Sequence, residues 1–220
     1  MLPRVLGAWC LVLGAAAGAD AQTLDRRIHE AALSERATWV AYRVPMAGAP
    51  RRMCCFELSP RPAECCGQCR LDGGDGVVLA AANAAAASRL VLEPPTDMHV
   101  FVRVENGTVG RVRTFSPDCD IDAGGMPVVW LDDVAVDDSV RWLASFARTT
   151  ANTALEHTAI TILALHPGRA AVQELIAFAR DDPQPGVRRH AFFWLGRSPS
   201  PDAIRYFEEI LRREPGSGRP

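Results

Sequence analysis

The sequence predicts an α+β protein, in which a disulfide-rich β domain is followed by a short α-helical solenoid. Strand-like patterns dominate from about Trp39 to Trp130, and the cysteines outside the N-terminal segment lie in this part. From Asp137 onward the pattern is helical and repeats itself. We therefore divide the chain into a signal peptide at 1–21, a cysteine-containing, mainly-β domain at 22–130 and helical repeats at 137–214.

The N-terminus has the three parts of a secretory signal peptide. Arg4 supplies a positive charge, and Val5–Ala17 forms an apolar run. Ala19 and Ala21 then form a small-x-small cleavage site before Gln22. A membrane anchor is the alternative, but the run is shorter than the roughly 20 apolar residues that span a bilayer. We expect a secreted or periplasmic protein without stable membrane insertion.

The composition excludes several classes of function. All 24 basic residues are arginines, a bias typical of a GC-rich bacterial genome. Chemistry that needs a Schiff-base lysine or a phosphate-binding lysine is therefore excluded. The net charge of −2 gives no reason to expect a nucleic-acid partner.

Six cysteines remain once the signal peptide is removed, and they are the sharpest chemical feature of the chain. They are Cys54, Cys55, Cys65, Cys66, Cys69 and Cys119. An even number of cysteines in an exported chain favours structural disulfides, but the sequence does not choose among the pairings. The C-x-x-C formed by Cys66 and Cys69 leaves two alternatives open, which are zinc ligation and a redox-active thiol pair.

The first half of the mature chain contains one helical and two strand-like segments. Apolar residues at helical spacing predict a short leading helix within Gln22–Arg36. Trp39–Val44 and Met53–Leu58 are strand-like, and Pro45–Pro50 reads as a loop between them.

A β-hairpin is the clearest local element. His99–Val104 alternates between apolar and other residues, and Val109–Phe115 continues the pattern. Asn106 and Gly107 lie between the two runs, and both residue types tolerate the positive φ that a type I′ turn requires. The sequence therefore predicts an antiparallel hairpin with Val100, Val102 and Val104 on one face.

The C-terminal part matches itself when it is shifted by 32 residues, as from Leu143 to Leu175 and on to Phe207. Such a period is typical of a solenoid, because one helical pair cannot bury its own apolar stripe. The register predicts that these three residues face a shared core. It also places three arginines near helix C-termini, where a cation favours the dipole; they are Arg148, Arg180 and Arg212.

Other aligned positions extend the repeat. Three further sets of three are Val140, Val172 and Ile204; Phe146, Phe178 and Ile210; and Ala147, Ala179 and Leu211. The preceding helices repeat only twice, as Ala159 with Ala191, Ile162 with Trp194, and Leu163 with Leu195. Two full units and one half unit are near the minimum for a stable solenoid. We expect the β domain to cover the first end of the array by packing on the helix at Asp137–Arg148.

The segment Pro185–Gly196 reads PGVRRHAFFWLG. It resembles the first helix of a HEAT repeat, and Ser200–Ile204 with the following helix resembles the second half of that repeat. The period is similar to that of the short bacterial HEAT repeats found in bilin-lyase-like sequences. This resemblance covers about 137–214 and implies a HEAT-like solenoid that binds proteins or peptides. No residue of a lyase site is carried over.

No recognisable catalytic motif occurs, so we assign no catalytic, cofactor-binding or metal-binding residue. We interpret His157, His166 and His190 as surface or helix-capping residues, because none occurs at a metal-binding spacing. The acidic segment Asp118–Gly125 only faintly resembles a calcium loop and lacks its closing glutamate, so we interpret it as a solvated turn.

These observations predict a secreted or periplasmic protein-interaction module with no evident catalysis and no cofactor. A protein or peptide is the expected partner, contacted by arginines and by exposed aromatic residues such as Trp142 and Tyr206. Trp194 is instead expected in the core. The alternative is a thiol-dependent redox or metal-binding protein that uses the cluster Cys54–Cys69. The sequence does not predict the oligomeric state.

Overall fold

The computed structural model describes residues 23–32, 36–50, 69–70, 95–117, 119 and 121–213. This part of the chain is a β-sheet followed by an array of helices, which confirms the α+β class. Its elements are α1 Leu24–Ala31, β1 Thr38–Pro45, β2 Cys69–Arg70, β3 Asp97–Glu105, β4 Thr108–Phe115, β5 Ile121–Asp122, β6 Val128–Leu131, α2 Val136–Thr149, α3 Thr153–Ala164, α4 Arg169–Asp181, α5 Pro185–Gly196 and α6 Pro201–Arg213.

The main sheet has the strand order β4-β3-β1-β6. β1 pairs antiparallel with β3 and parallel with β6, so it lies inside the sheet. This position explains why the residues of β1 from Thr38 to Tyr42 are all buried, since both faces of an inner strand can be covered. The predicted strand at Trp39–Val44 is confirmed, whereas Met53–Leu58 lies outside the described residues.

The predicted hairpin is confirmed as β3 and β4. Asn106 and Gly107 form its turn with φ of 49° and 69°, the positive values that their residue types accommodate. Val100, Val102 and Val104 are buried, as the alternation predicts. The leading helix is also present, although the structure has it as Leu24–Ala31, shorter than the interval Gln22–Arg36.

The structure does not support the expectation of a disulfide-rich domain. No disulfide occurs among the described residues, and four of the six cysteines lie outside them: Cys54, Cys55, Cys65 and Cys66. Cys69 begins the short strand β2, whose backbone pairs in parallel with β5, with Cys69 opposite Ile121. Cys119 is partly buried just before β5. Disulfide formation therefore stays a prediction.

Each helix after α2 begins at a recognisable sequence signal. The side chain of Asn152 accepts hydrogen bonds from two backbone N–H groups in the first turn of α3. Gly168 precedes α4 with a φ of 94°, which favours glycine. Pro185 and Pro201 occupy the first positions of α5 and α6, where the missing N–H leaves no gap in the helical hydrogen bonds.

The predicted repeat register is confirmed by burial. Leu143 and Leu175 are buried, and Phe207 packs against the same core from α6. Arg148, Arg180 and Arg212 lie in the last turns of α2, α4 and α6. Within the described ranges, no helix combines the length and apolar character that crossing a membrane requires.

The sheet and the helical array share one hydrophobic core. The inward residues of β1 and β3 join the same cluster of buried side chains as α2, α3, α4 and α5. Leu24 and Ile28 add one face of α1 to it. The sheet contacts both α2 and α3, so the expectation that the β part covers the first end of the array is confirmed.

Candidate functional site

A chain of buried hydrogen bonds joins the sheet to the array. The Tyr42 hydroxyl lies 2.9 Å from Ser139 Oγ, and Ser139 Oγ lies 2.8 Å from His166 Nε2. The other ring nitrogen of His166, Nδ1, lies 2.8 Å from the carbonyl oxygen of Ile162. All groups are satisfied if Nδ1 donates to this carbonyl while Nε2 accepts from the serine hydroxyl.

This buried chain is a structural bridge rather than a nucleophile with its base. Ser139 is 0% exposed and His166 is 3% exposed, so no substrate reaches the pair. Burial lowers the pKa of His166 to about 4, which keeps its ring neutral. Burial also raises the pKa of Tyr42. His166 is one of the histidines expected at the surface or as a helix cap, and it is a helix cap: Nδ1 hydrogen bonds to a carbonyl at the end of α3, while the ring itself is buried.

The sequence contains a signal for this bridge, but it is recognised only when the repeat units are aligned. Shifting Ser139 by one and by two periods leads to Ala171 and Ala203, and all three positions are buried. A serine in a buried column that otherwise holds alanine requires a hydrogen-bonding partner. The partners themselves, Tyr42 and His166, lie far from it in the sequence.

His157 and His190 form a second polar contact, between α3 and α5. Their rings stack with centroids 4.6 Å apart, and His190 Nε2 lies 2.9 Å from Thr161 Oγ1. Burial, and then the neighbouring His157, lower the pKa of His190. The Trp194 indole donates to Thr161 from the same group, and its burial confirms it as a core residue. No group of three potential metal ligands occurs in the described ranges.

A cleft of about 370 Å³ opens along one edge of the array. It lies where the C-terminal ends of α2 and α4 meet the turns that lead into α3 and α5. Its lining residues are Ala147, Arg148, Thr150, Glu156, Ala177, Phe178, Asp181, Asp182, Pro183 and Gln184. We call this feature the edge cleft.

Glu156 lies at the base of the edge cleft and is 3% exposed. Its Oε2 accepts a hydrogen bond from Gln184 Nε2 over 3.1 Å. Burial, and then the nearby Asp182, raise the pKa of this carboxyl group, while the bond from Gln184 opposes them. No sequence pattern identifies Glu156 as a buried residue, because a glutamate in a helix is ordinarily exposed.

The last helix leaves apolar positions uncovered. Ala147 and Ala179 are buried, whereas the aligned Leu211 is 72% exposed. Ile204 is 54% exposed, although its aligned partners in α2 and α4 are buried. The outer face of α6 therefore carries the stripe that the earlier units cover. We call Ile204 and Leu211 the end face.

Of the two aromatic residues expected at a contact surface, Trp142 is buried, so the expectation is wrong for this residue. It is 5% exposed, stacks on Phe146, and donates from Nε1 to Asp25 of α1 over 3.2 Å. The helix α1 covers it, which the repeat pattern alone does not reveal. Tyr206 is partly buried and packs against Phe192.

The acidic segment forms the turn that its sequence indicates. Asp122 Oδ1 accepts from the backbone N–H of Gly124 over 2.8 Å, the hydrogen bond typical of an Asx turn. Gly124 and Gly125 both have positive φ. Asp118 and Asp120 lie outside the described residues.

Residues 140–219 match the family of HEAT repeats. No curated protein and no solved structure matches the chain. The matched range contains most of α2 and all of α3, α4, α5 and α6. The resemblance of the C-terminal part to HEAT repeats is therefore confirmed.

Proposed function

We propose that this chain, whose C-terminal part is a HEAT-repeat array, is an exported protein-interaction module without catalysis. HEAT arrays present extended helical surfaces to other proteins. The single observation that supports this most is the end face, because it exposes apolar side chains at register positions that are buried in α2 and α4. Exposed apolar side chains grouped in this way are typical of protein contact sites.

Capture from an extract of the native cell envelope tests this function. We expect the mature chain to retain a defined protein and Leu211→Glu to lose most of it, because the new carboxylate would be buried on binding. Arg212→Glu is the matched control on the same helix, since the Arg212 side chain makes an exposed pair with Glu208. Circular dichroism checks that both variants remain folded. Identical retention by all three proteins would contradict the proposal.

Export is supported by the N-terminal pattern of Arg4, the apolar run and Ala21. The intact mass of the protein recovered from the periplasm or medium should correspond to a chain that begins at or near Gln22. If all six mature cysteines form disulfides, the non-reduced chain should also be lighter by about six hydrogens than the reduced one. Recovery of an intact Met1 from the cytoplasm would contradict export, and bound zinc or free thiols would favour the thiol-dependent alternative.

A further inference from the structure

We propose that the edge cleft binds a positively charged side chain, arginine or lysine, of a partner polypeptide, with Glu156 as its anionic anchor. This inference rests on the proposed function, since it names the chemistry of the partner. Four features of the molecule support it: a buried carboxylate with room for another donor, a change of charge between repeat units, the helix ends around the cleft, and the apolar wall of the cleft.

The carboxylate of Glu156 has room for one more donor. Gln184 satisfies Oε2, and no other hydrogen bond or ion pair to Glu156 occurs in the part of the chain that the structure describes. The side chain is nevertheless 3% exposed and lines the edge cleft. Burying a carboxylate without a cation is costly. A cationic group that enters the cleft would pair with a carboxylate that folding has already removed from most of its water, so little further desolvation of Glu156 is needed.

The repeat register shows that this position differs between the two full units. Shifting Glu156 by one period leads to Arg188. In the second unit, Arg188 Nη1 donates to the carbonyl oxygens of Asp182 and Pro183 over 2.8 Å and 3.1 Å. The first unit places a carboxylate where the second unit has this guanidinium. A cation at this position is therefore supplied by the chain in one unit and missing in the other.

The remaining charges of the cleft leave an anionic excess. Arg148 is paired with Glu174 and lies over the Phe178 ring, 4.7 Å from its centroid. Asp181 is paired with Arg180. Glu156 and Asp182 are in no salt bridge within the described ranges. The guanidinium of Arg188 also reaches the cleft wall, at the backbone of Asp182 and Pro183. The excess is therefore a single negative charge, with three arginines (Arg148, Arg180 and Arg188) beside four carboxylates (Glu156, Glu174, Asp181 and Asp182).

The helix ends favour the same sign of ligand. Thr150 and Asp182 are the C-caps of α2 and α4, and both line the cleft. The C-terminal end of a helix carries partial negative charge on its free carbonyl groups, which favours a cation. The carbonyl of Asp182 already accepts from Arg188, so it is the end of α2 at Thr150 that adds to the anionic excess.

The shape of the cleft suits a long side chain with a charged end. Ala147, Ala177 and Pro183 provide an apolar wall beside the carboxylate. Arginine and lysine bury their methylene stems along apolar surface while the charged group reaches a polar partner. A volume of about 370 Å³ lies at the lower end of the range of ligand pockets, which fits one side chain rather than a large cofactor.

Nuclear magnetic resonance titration of the folded mature chain with three capped pentapeptides tests the inference. The probes are acetyl-Gly-Gly-Xaa-Gly-Gly-amide with arginine, lysine or glutamine at the centre. We expect the two cationic peptides to shift the side-chain amide resonances of Gln184, and the glutamine peptide to leave them unchanged. Glu156→Gln should weaken binding of the cationic peptides about tenfold or more, because a charged hydrogen bond is lost.

Matched variants separate binding from folding. Glu156→Gln preserves the shape of the side chain, and its melting temperature at neutral pH should be equal to or above that of the wild type, since the buried charge is removed. Glu209→Gln removes an exposed carboxylate on α6 and should bind the peptides as the wild type does. Equal binding by Glu156→Gln, or no binding by the wild type, would overturn the inference.

A further arm distinguishes a polypeptide partner from a small cation. Free guanidinium should compete much less than the arginine peptide, because it lacks the methylene stem that packs on the apolar wall. Equal competition would overturn the assignment to a polypeptide. Capture of a partner through the end face by both the wild type and Glu156→Gln would support the proposed function while contradicting this inference, so the two can fail separately.

Discussion

Leu175→Ala is expected to lower the free energy of unfolding by about 2–5 kcal/mol, the usual range for truncating a buried leucine. Leu175 is 2% exposed on α4. The helix α4 contacts α3 of its own unit, α2 of the preceding half unit, and α5 and α6 of the following unit. The surrounding helices therefore cannot close the cavity without moving both units. Urea denaturation followed by circular dichroism measures the change.

Two variants at aligned or neighbouring positions serve as controls. Arg180→Ala removes an exposed side chain that pairs with Asp181, and its effect should be far smaller, because exposed ion pairs stabilise little. Phe207→Ala should cost less than the roughly 3–5 kcal/mol of a fully buried phenylalanine, since Phe207 is only partly buried in the last unit. A neutral Leu175→Ala together with a disruptive Arg180→Ala would contradict the repeat register.

Acidification from pH 7 to pH 4 is expected to remove about 3 kcal/mol of stability through His166 alone. Its pKa is about 4 in the folded protein, against 6.5 in a model peptide. Below pH 6.5 the unfolded chain therefore binds a proton at His166 that the folded chain does not bind until the pH approaches 4. The stabilisation is fully present above pH 6.5 and is lost progressively as the pH falls through 6.5 towards 4.

The environment of His166 explains why its proton is excluded. Burial is the main cause of its low pKa, because an imidazolium would lose its hydration, and the hydrogen bond to the carbonyl of Ile162 only partly offsets this effect. Tyr42, whose pKa is raised, contributes no charge behind Ser139. Glu156 works in the opposite direction, since its raised pKa makes the folded state less stable as the pH rises through that pKa.

Unfolding free energies of wild type and His166→Gln, measured between pH 7 and pH 4, test this assignment. His166→Gln should be less stable at pH 7, because the bridge to Ser139 is disturbed, but should lose much less stability on acidification. An unchanged slope in His166→Gln would contradict the role of His166.

Elements with a local or periodic cause could be predicted from the sequence alone. Asn106 and Gly107 specify the turn through their own tolerance of positive φ. The stripe that contains Leu143 and Leu175 specifies both helix faces and the stacking of units, because each unit needs its neighbour for burial. The helix-end positions of Arg148 and Arg180 follow from the same register.

Which polar groups meet and which apolar groups stay exposed depends on how distant elements pack together. Tyr42 and Ser139 are 97 residues apart, and their contact depends on the sheet packing on α2. Trp142 is buried because α1 reaches it, and Leu211 is exposed although its register partners are not. Glu156 is a buried carboxylate because the C-terminal ends of two helices lie beside it. Local sequence patterns indicate the conformation that a residue favours, whereas its burial depends on packing against elements that are distant in the chain.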